Sequence, residues 1–332
     1  LMVLSLLPLF FIEIEKFSMA MAIILAIHNI FVATQDVATD ALAADSLNTE
    51  SLGKANGLMW GSKVFGRGIG MSVSVAIYLS YGVSAGLLIL IAMISLIMLI
   101  PYLSTELNHK VGKQQDTEQN NRMPFKQLFY EIVSGFSSKI AFWALIFMII
   151  GNIGAGIYDV LFNKFFIEEL AWTGEQIATA RPWGLWIGGV AGLLVGFGVS
   201  FFGARYLLLG FITAELFLYL FLGIVNTQIT MMEGFLLLVG VEIVTVSSQV
   251  IMFALLMSLC VTKTSATNFG IYMGLSNLST LIGSKIAPVS FAALGYSGSF
   301  ILSAAVLIPC LLIIPILTSS NKKHFKLFFK PD

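Results

Sequence analysis

Ten long apolar segments constrain what this chain of 332 residues can fold into. They cover residues 1–12, 18–46, 55–79, 83–103, 140–166, 183–201, 206–224, 231–259, 268–294 and 299–317. Runs of about 20 apolar residues have the length at which an α-helix crosses a bilayer. The chain is 58% hydrophobic and 11% charged, whereas soluble domains are about a quarter charged. The sequence therefore predicts an all-α polytopic membrane protein.

A single long polar stretch, Thr105 to Ser138, separates four apolar segments from six. Membrane proteins built from two six-helix halves have one long central loop. Two further helices before Leu1, where no initiator Met stands, would complete that pattern, so we expect a fragment with about 10 of 12 transmembrane helices. The expected parts are an N-terminal half at 1–104, a central loop at 105–139, a C-terminal half at 140–318 and a basic tail at 319–332.

The distribution of Lys and Arg predicts the orientation of the chain. If the central loop is cytoplasmic, loops on that side and the C-terminus hold twelve Lys and Arg residues, and the other side holds three, Lys16, Lys164 and Arg181. Because cytoplasmic loops are enriched in these residues, we expect a multi-pass protein of the inner (plasma) membrane with a cytoplasmic C-terminus.

Several function classes find no support in the sequence. A net charge of 0 offers no basic surface for nucleic acid. Cys260 and Cys310 indicate neither a disulfide framework nor a metal site. There is no P-loop or metal-binding histidine pair. We therefore expect no metal, no cofactor, no enzymatic activity and no nucleic-acid partner, and we expect a monomer.

Ionisable residues inside the apolar segments are the strongest functional indication, because each costs about 2.5–3.5 kcal/mol at the centre of a membrane helix. Asp36 and Asp40 lie four residues apart, and so do Lys63 and Arg67 in the next segment. Residues at that spacing share a helix face. Their depths, at 1.5 Å per residue, match across antiparallel helices. We expect the pairs Asp40–Lys63 and Asp36–Arg67, either as a fixed structural cluster or as pairs that break and reform.

Polar residues in later segments extend this set of candidates. The candidates for taking up a proton are Asp36, Asp40, Glu242 and Asp159. The candidates for substrate contact or gating are Gln35, Lys63, Arg67, Asn152, Tyr158, Asn163, Gln249 and Lys285. Glu242 leads the proton candidates of the later segments, because packing alone does not explain an acid so deep. Lys285 either pairs with Glu242 or binds an anionic substrate, and Glu215 is expected to have a structural partner.

Glycines surround Lys63 and Arg67. Gly66 and Gly70 form a G-x-x-x-G pair, which predicts a close approach of another helix. The alternative is that glycine leaves room for a bound molecule beside Arg67.

Three stretches resemble a known family. Ala33–Ala41 reads A-T-Q-D-V-A-T-D-A, and it resembles the A-T-Q-D-x-x-x-D-A motif on helix 4 of the muropeptide-permease (AmpG-like) and acetyl-CoA-transporter branch of the major facilitator superfamily. Phe253–Cys260 with Ala266–Gly270 is similar to the helix 10–11 region of that branch, with Asn268 in place of Gln. Gly196–Arg205 is similar to a superfamily loop, with Ser200 in place of Asp.

The resemblance implies a major facilitator fold and a secondary transporter. It implies proton-coupled symport of a bulky polar solute, such as a muropeptide-like sugar-peptide or related metabolite, by alternating access. The partners would then be that small-molecule solute, protons and the lipid bilayer. A drug or metabolite exporter of the same fold is the alternative, and a membrane-embedded transferase is a more distant one.

The candidate acids lead to a first test. Asp36→Asn, Asp40→Asn and Glu242→Gln each remove a charge that could follow a proton gradient, so we expect them to weaken accumulation of solute driven by a pH gradient. The measurement is uptake into vesicles that hold the full-length protein. Unchanged accumulation in all three variants would show that none of these acids is the coupling site.

Overall fold

The computed structural model describes residues 1–12, 18–46, 52–103, 124–224, 229–260 and 264–319. Most of the predicted central loop and the basic tail lie outside these ranges. So do the side chains of residues 40–46, 52–54, 56, 101, 200, 265–266 and 319. Within the described residues, every assigned secondary-structure element is a helix.

Within the described residues the chain forms eleven α-helices and one 3-10 turn. A short α1 (Met2–Leu6) runs into a 3-10 turn (Leu7–Phe11). The following helices are α2 (Ser18–Ser46), α3 (Leu52–Tyr81), α4 (Val83–Leu103), α5 (Phe125–Ser134), α6 (Lys139–Ile150), α7 (Ile153–Glu168), α8 (Gly174–Phe202), α9 (Ala204–Ile224), α10 (Met231–Leu259) and α11 (Ser265–Ser319).

The apolar helices confirm the predicted fold class. Over the described ranges, seven stretches are helical, long and apolar enough to cross a membrane. One of them, Thr267–Thr318 within α11, spans 52 residues. A straight helix of that length would measure about 80 Å, far more than a hydrocarbon core of about 30 Å. Gly295, with φ 66° and ψ −167°, breaks α11 into two segments, as the sequence predicts for 268–294 and 299–317.

Two predicted boundaries differ from the structure. The segment predicted to begin at 183 is helical from Gly174, because Thr173 and Gln176 form a capping box and the helix continues through Pro182. A proline interrupts an apolar pattern without ending a membrane helix when neighbouring groups satisfy the freed backbone. The predicted loop Gly196–Arg205 is also mostly helical, since α8 runs to Phe202 and only Gly203, with φ 80°, separates it from α9.

A helix also lies within the predicted polar stretch. Residues 125–134 form α5, whose apolar residues Phe125, Leu128, Phe129 and Ile132 recur at intervals of three and four. That spacing gives a surface helix one apolar face. The prediction of a loop used the overall polarity of this stretch, to which charged and amide residues contribute, and did not consider the spacing of its apolar residues.

The chain divides into two compact units. The first comprises Leu1–Asp40 and Gly70–Glu131, and the second comprises Ala41–Ile69 and Ile132–Asp332. In the first unit α1 packs against α4, and the Ser5 hydroxyl lies 2.9 Å from Nδ1 of His28.

The second unit is built around α11 and α10. The helix α11 packs along α6, α7 and α9, and α10 packs along α8 and α9. Two glycines let α7 and α11 touch: a Cβ added at Gly156 would meet the Thr280 carbonyl, and a Cβ added at Gly283 would meet the Ile153 carbonyl. Small residues of this kind allow the backbones of membrane helices to approach closely.

The glycines of α3 that contact another helix are not the predicted pair, Gly66 and Gly70. A Cβ built at Gly66 or Gly70 has no described atom within 4 Å, so the structure does not support close packing at this G-x-x-x-G pair. The contact lies instead at Gly57 and Gly61, where a Cβ would stand 2.7 Å from Gly196 Cα and 2.9 Å from the Gly189 carbonyl. The glycines of α3 that contact another helix therefore include two that precede the predicted pair in the sequence.

The crossing of α7 and α11 provides a stability test. Gly283→Ala puts a methyl group against the α7 backbone, so we expect a loss of about 1–3 kcal/mol in the free energy of unfolding. Gly274→Ala, on the same helix, meets no described atom within 4 Å and should change stability by less than about 0.5 kcal/mol. Thermal unfolding of the purified protein in detergent measures both. Equal losses would show that the crossing is not tight.

Candidate functional site

Polar and charged side chains of α7, α8 and α10 form what we call the interior charge cluster: Asp159, Asn163, Arg181 and Glu242. Arg181 Nη2 lies 3.8 Å from Asp159 Oδ1, and Arg181 Nη1 donates to Asn163 Oδ1 at 3.4 Å. The guanidinium carbon stands 5.4 Å from the centre of the Phe162 ring. Asp159 and Asn163 lie one helical turn apart and therefore share a face, which is how one arginine reaches both.

Glu242 of α10 lies against a glycine face of α8. A Cβ added at Gly184 would stand 3.2 Å from Glu242 Cγ, and one at Gly188 would stand 3.4 Å from Glu242 Cβ. These glycines follow Arg181 by three and seven residues, the spacing of one helix face. Arg181 therefore lies on the same face of α8 as the glycines that contact Glu242.

Two arginines act on the two acids of this cluster. Arg181 interacts electrostatically with both Asp159 and Glu242, and Arg67 of α3 does so more weakly. The described residues do not fully enclose the cluster, since 54% of the Asp159 side chain and 27% of the Arg181 side chain are exposed. Ion pairs with such exposure are worth only about 0.2–1 kcal/mol, so these groups can exchange partners at low cost.

A second polar site, the Glu215 cavity, lies where the α6–α7 junction meets α9 and α10. Its space for a water-sized sphere is about 20 Å³, enough for one water molecule. The polar lining residues are Asn152, Glu215, Thr245, Ser248 and Gln249, and the apolar ones include Phe147, Met148, Ile212, Met252 and Phe253. This cavity brings together Asn152 and Gln249, two candidates from the sequence.

Hydrogen bonds fix the walls of the Glu215 cavity. Asn152 donates from Nδ2 to Ser276 Oγ at 2.9 Å, and its backbone N–H donates to Ser279 Oγ at 3.0 Å. Glu215 is 4% exposed, and the Tyr219 hydroxyl donates to its Oε1 at 3.1 Å. The structural partner expected for Glu215 is therefore present, and it is a hydroxyl group on the same helix.

Two other candidates are Tyr158, which interacts electrostatically with the charged members of the interior charge cluster, and Lys285. The Tyr158 ring is 7% exposed and contacts the rings of Phe162, Tyr219 and Phe300, at centroid distances of 5.2, 5.7 and 6.3 Å. Lys285 is exposed on α11 and is not among the groups that act on Glu242. Of its two predicted roles, pairing with Glu242 is the one that the described residues do not show.

The candidates of α2 and α3 are divided between the two compact units. Asp36, which is partly buried, and Gln35, which is exposed, belong to the first unit. Lys63 and Arg67 belong to the second unit, where the Lys63 ammonium stands 5.1 Å from the centre of the Trp60 ring. The Asp40 side chain lies outside the described residues. Pairing of Asp36 with Arg67 and of Asp40 with Lys63 stays a prediction.

Sequence reasoning missed Arg181 as a site residue. It counted Arg181 among loop cations because the apolar pattern begins only at 183. The structure places Arg181 inside α8, seven residues after the helix begins at Gly174. The capping pair Thr173 and Gln176 was the signal that could have moved the helix start upstream of Arg181.

These features define a class: a multi-pass helical membrane protein with ionisable groups on its apolar helices, where such groups mark solute or ion pathways. The chain belongs to the Major Facilitator Superfamily, whose family model matches residues 1–284. That match confirms the predicted fold and places the chain among transporters.

Two relatives from Rickettsia agree with the branch suggested by the sequence motifs. Over 302 residues the chain is 27% identical to "Putative transporter AmpG 1" of Rickettsia bellii (strain RML369-C), a match that covers 87% of this chain and 71% of that protein. Over 309 residues it is 26% identical to the protein of the same name from Rickettsia conorii (strain ATCC VR-613 / Malish 7), with the same coverage.

The exposure of the Arg181–Asp159 pair leads to a further prediction. In a double-mutant cycle of Arg181→Gln and Asp159→Asn, we expect a coupling of about 0.2–1 kcal/mol in the free energy of unfolding, as for other exposed pairs. Thermal or chemical unfolding of the four purified proteins measures it. A coupling of about 3–5 kcal/mol would instead mark a buried structural ion pair.

Proposed function

We propose that this protein is a proton-coupled symporter of a bulky polar solute, and that it works by alternating access. The observation that carries the proposal is the interior charge cluster, in which Arg181 contacts Asp159 and Asn163 and also acts on Glu242. Membership of a transporter family and the motif at Ala33–Ala41 support it. We place the protein in the inner (plasma) membrane as a monomer with its C-terminus in the cytoplasm.

The cluster suggests how a proton and a solute compete for one arginine. Asp159 and Glu242 are two acids that share Arg181. A proton on Glu242 removes one of the two negative charges, which changes the balance of attraction on the guanidinium. Because Arg181 is partly exposed, a solute carboxylate can then bind to it with bidentate geometry. A ligand shifts a conformational equilibrium only through different affinities for the two states, and this change in charge supplies the difference.

We assign the solute to the class of muropeptide-like sugar-peptides or related metabolites. Such molecules carry carboxylates that match Arg181 and hydroxyl or amide groups that match Asn163. The candidates of the first and second units, Asp36 and Arg67, would act in this scheme as groups that form pairs in one state and release them in the other. The two helical halves, 1–104 and 140–318, would be the parts that rock about the site.

The test is uptake of a radiolabelled muropeptide into proteoliposomes with an acidic exterior. For Glu242→Gln and Asp159→Asn we expect gradient-driven accumulation to fall about tenfold or more, the factor produced by losing about 1.4 kcal/mol of differential binding. Arg181→Lys keeps the charge but loses the planar fork, so we expect weaker solute binding with coupling retained.

Glu175→Gln is the matched control, because Glu175 is an exposed acid in the first turn of α8. It should accumulate solute like the original protein. Equal accumulation by Glu242→Gln, Asp159→Asn and this control would overturn the proposal. Gradient-driven movement of solute against the direction of the proton would identify an exporter of the same fold instead.

A further inference from the structure

The Glu215 cavity holds an acid whose described neighbours are neutral. Glu215 is 4% exposed, and within the described part of the chain no Lys, Arg or His forms an ion pair with it. The groups that do face it are the hydroxyls of Tyr219, Ser248 and Thr245 and, from α11, the thiol of Cys310. An ionised carboxylate without a cation is costly in such surroundings. A bound proton would remove that cost.

The hydrogen bonds of Ser248 point to where the proton sits. The Ser248 hydroxyl lies 3.0 Å from the Thr245 carbonyl and 3.4 Å from Glu215 Oε2. A serine hydroxyl has only one hydrogen to donate but two lone pairs that accept. If that hydrogen goes to the nearer acceptor, the Thr245 carbonyl, the contact with Glu215 needs a hydrogen from the carboxyl itself. The arrangement is therefore complete when Glu215 is protonated on Oε2.

The cavity also supplies a place through which a proton can reach this acid. Its volume of about 20 Å³ suits one water molecule, which needs two to four polar partners. Asn152, Gln249 and Glu215 line it, and the Thr245 hydroxyl in the same wall is buried with no hydrogen-bond partner among the described atoms. A water at this point would bond to Thr245 and lie beside the carboxyl.

We propose that Glu215, Ser248 and the adjoining cavity form a proton-binding site, in which one water carries the proton to the Glu215 carboxyl and Ser248 accepts the resulting O–H. Binding consumes one proton and neutralises one carboxylate, and release reverses both. The site is distinct from the interior charge cluster, because its partners are hydroxyls rather than arginines. Its use in transport rests on the proposed function, whereas the binding of the proton does not.

Infrared difference spectroscopy of the full-length protein in lipid, with pH steps, tests the binding directly. We expect a C=O stretching band of a protonated carboxyl at neutral pH that disappears in Glu215→Gln. The amide is isosteric and still accepts from Tyr219, so this variant should fold. Glu175→Gln, which changes an exposed acid, should keep the band. If Glu215→Gln keeps the band too, or if no such band exists at neutral pH, the proposal is wrong.

Ser248→Ala provides a readout that holds even if Glu215→Gln folds poorly. It removes the acceptor of the carboxyl O–H, so we expect the band to move to higher frequency while remaining present. An unmoved band would show that Ser248 does not accept this proton. Exchanging sodium chloride for choline chloride should leave the band unchanged, and loss of the band in sodium alone would assign the site to Na⁺ and overturn the proposal.

Transport measurements separate this inference from the proposed function. In Glu215→Gln we expect gradient-driven accumulation to fall about tenfold, while exchange of labelled for unlabelled solute across the vesicle continues. If the unaltered protein shows the carboxyl band but no proton-driven uptake, the proposed function fails and the proton site stands. If uptake is proton-driven in Glu215→Gln as in the unaltered protein, the site has no part in coupling, and the inference about its use fails.

Discussion

The close approach of α7 and α11 is the contact on which the second unit depends. Lipid chains are as apolar as leucine, so tight packing and interior polar contacts hold membrane helices together. At Gly156 and Gly283 the two backbones touch. This contact brings Asn152, at the start of α7, within hydrogen-bonding distance of serines on α11. Asp159, three residues beyond Gly156, meets Arg181 of α8. One crossing thus positions a wall of the Glu215 cavity and an acid of the interior charge cluster.

Most of the fold could be predicted from the sequence, because the length of an apolar segment is a local property that decides whether it can cross a bilayer as a helix. All ten apolar segments correspond to helices, including the two that meet at Gly295. Helix ends that depend on features other than hydropathy were harder to predict. The helix α8 begins at a capping box and passes through Pro182, and hydropathy registers neither. The prediction that Gly66 contacts another helix was also wrong, and the contact lies at Gly57 instead. Which glycine contacts a neighbouring helix depends on the tertiary structure, and the local sequence does not show it.

The candidate site was predictable only in part, for the same reason. Asp159, Asn163 and Glu242 stand out as polar residues in apolar segments, and the structure brings these three near one arginine. Arg181 was hidden by its position outside the apolar run. Glu215 was expected only to have a structural partner, and the structure buries it in a cavity with other polar residues. A sequence shows that an acid lies in an apolar segment, but its neighbours on other helices decide whether an arginine or a hydroxyl is its partner.

The different partners of the two kinds of acid make them respond to different solution conditions. Asp159 and Arg181 are partly exposed charges, so dissolved ions screen their attraction, over a Debye length of about 8 Å at physiological salt. Glu215 is enclosed and bonded to neutral hydroxyls, and mobile ions have little charge pair to screen there. A higher ionic strength should therefore weaken the attraction between Arg181 and its acids and have almost no effect on the interactions of Glu215. A salt titration therefore separates the effects of the charge cluster from those of the enclosed carboxyl.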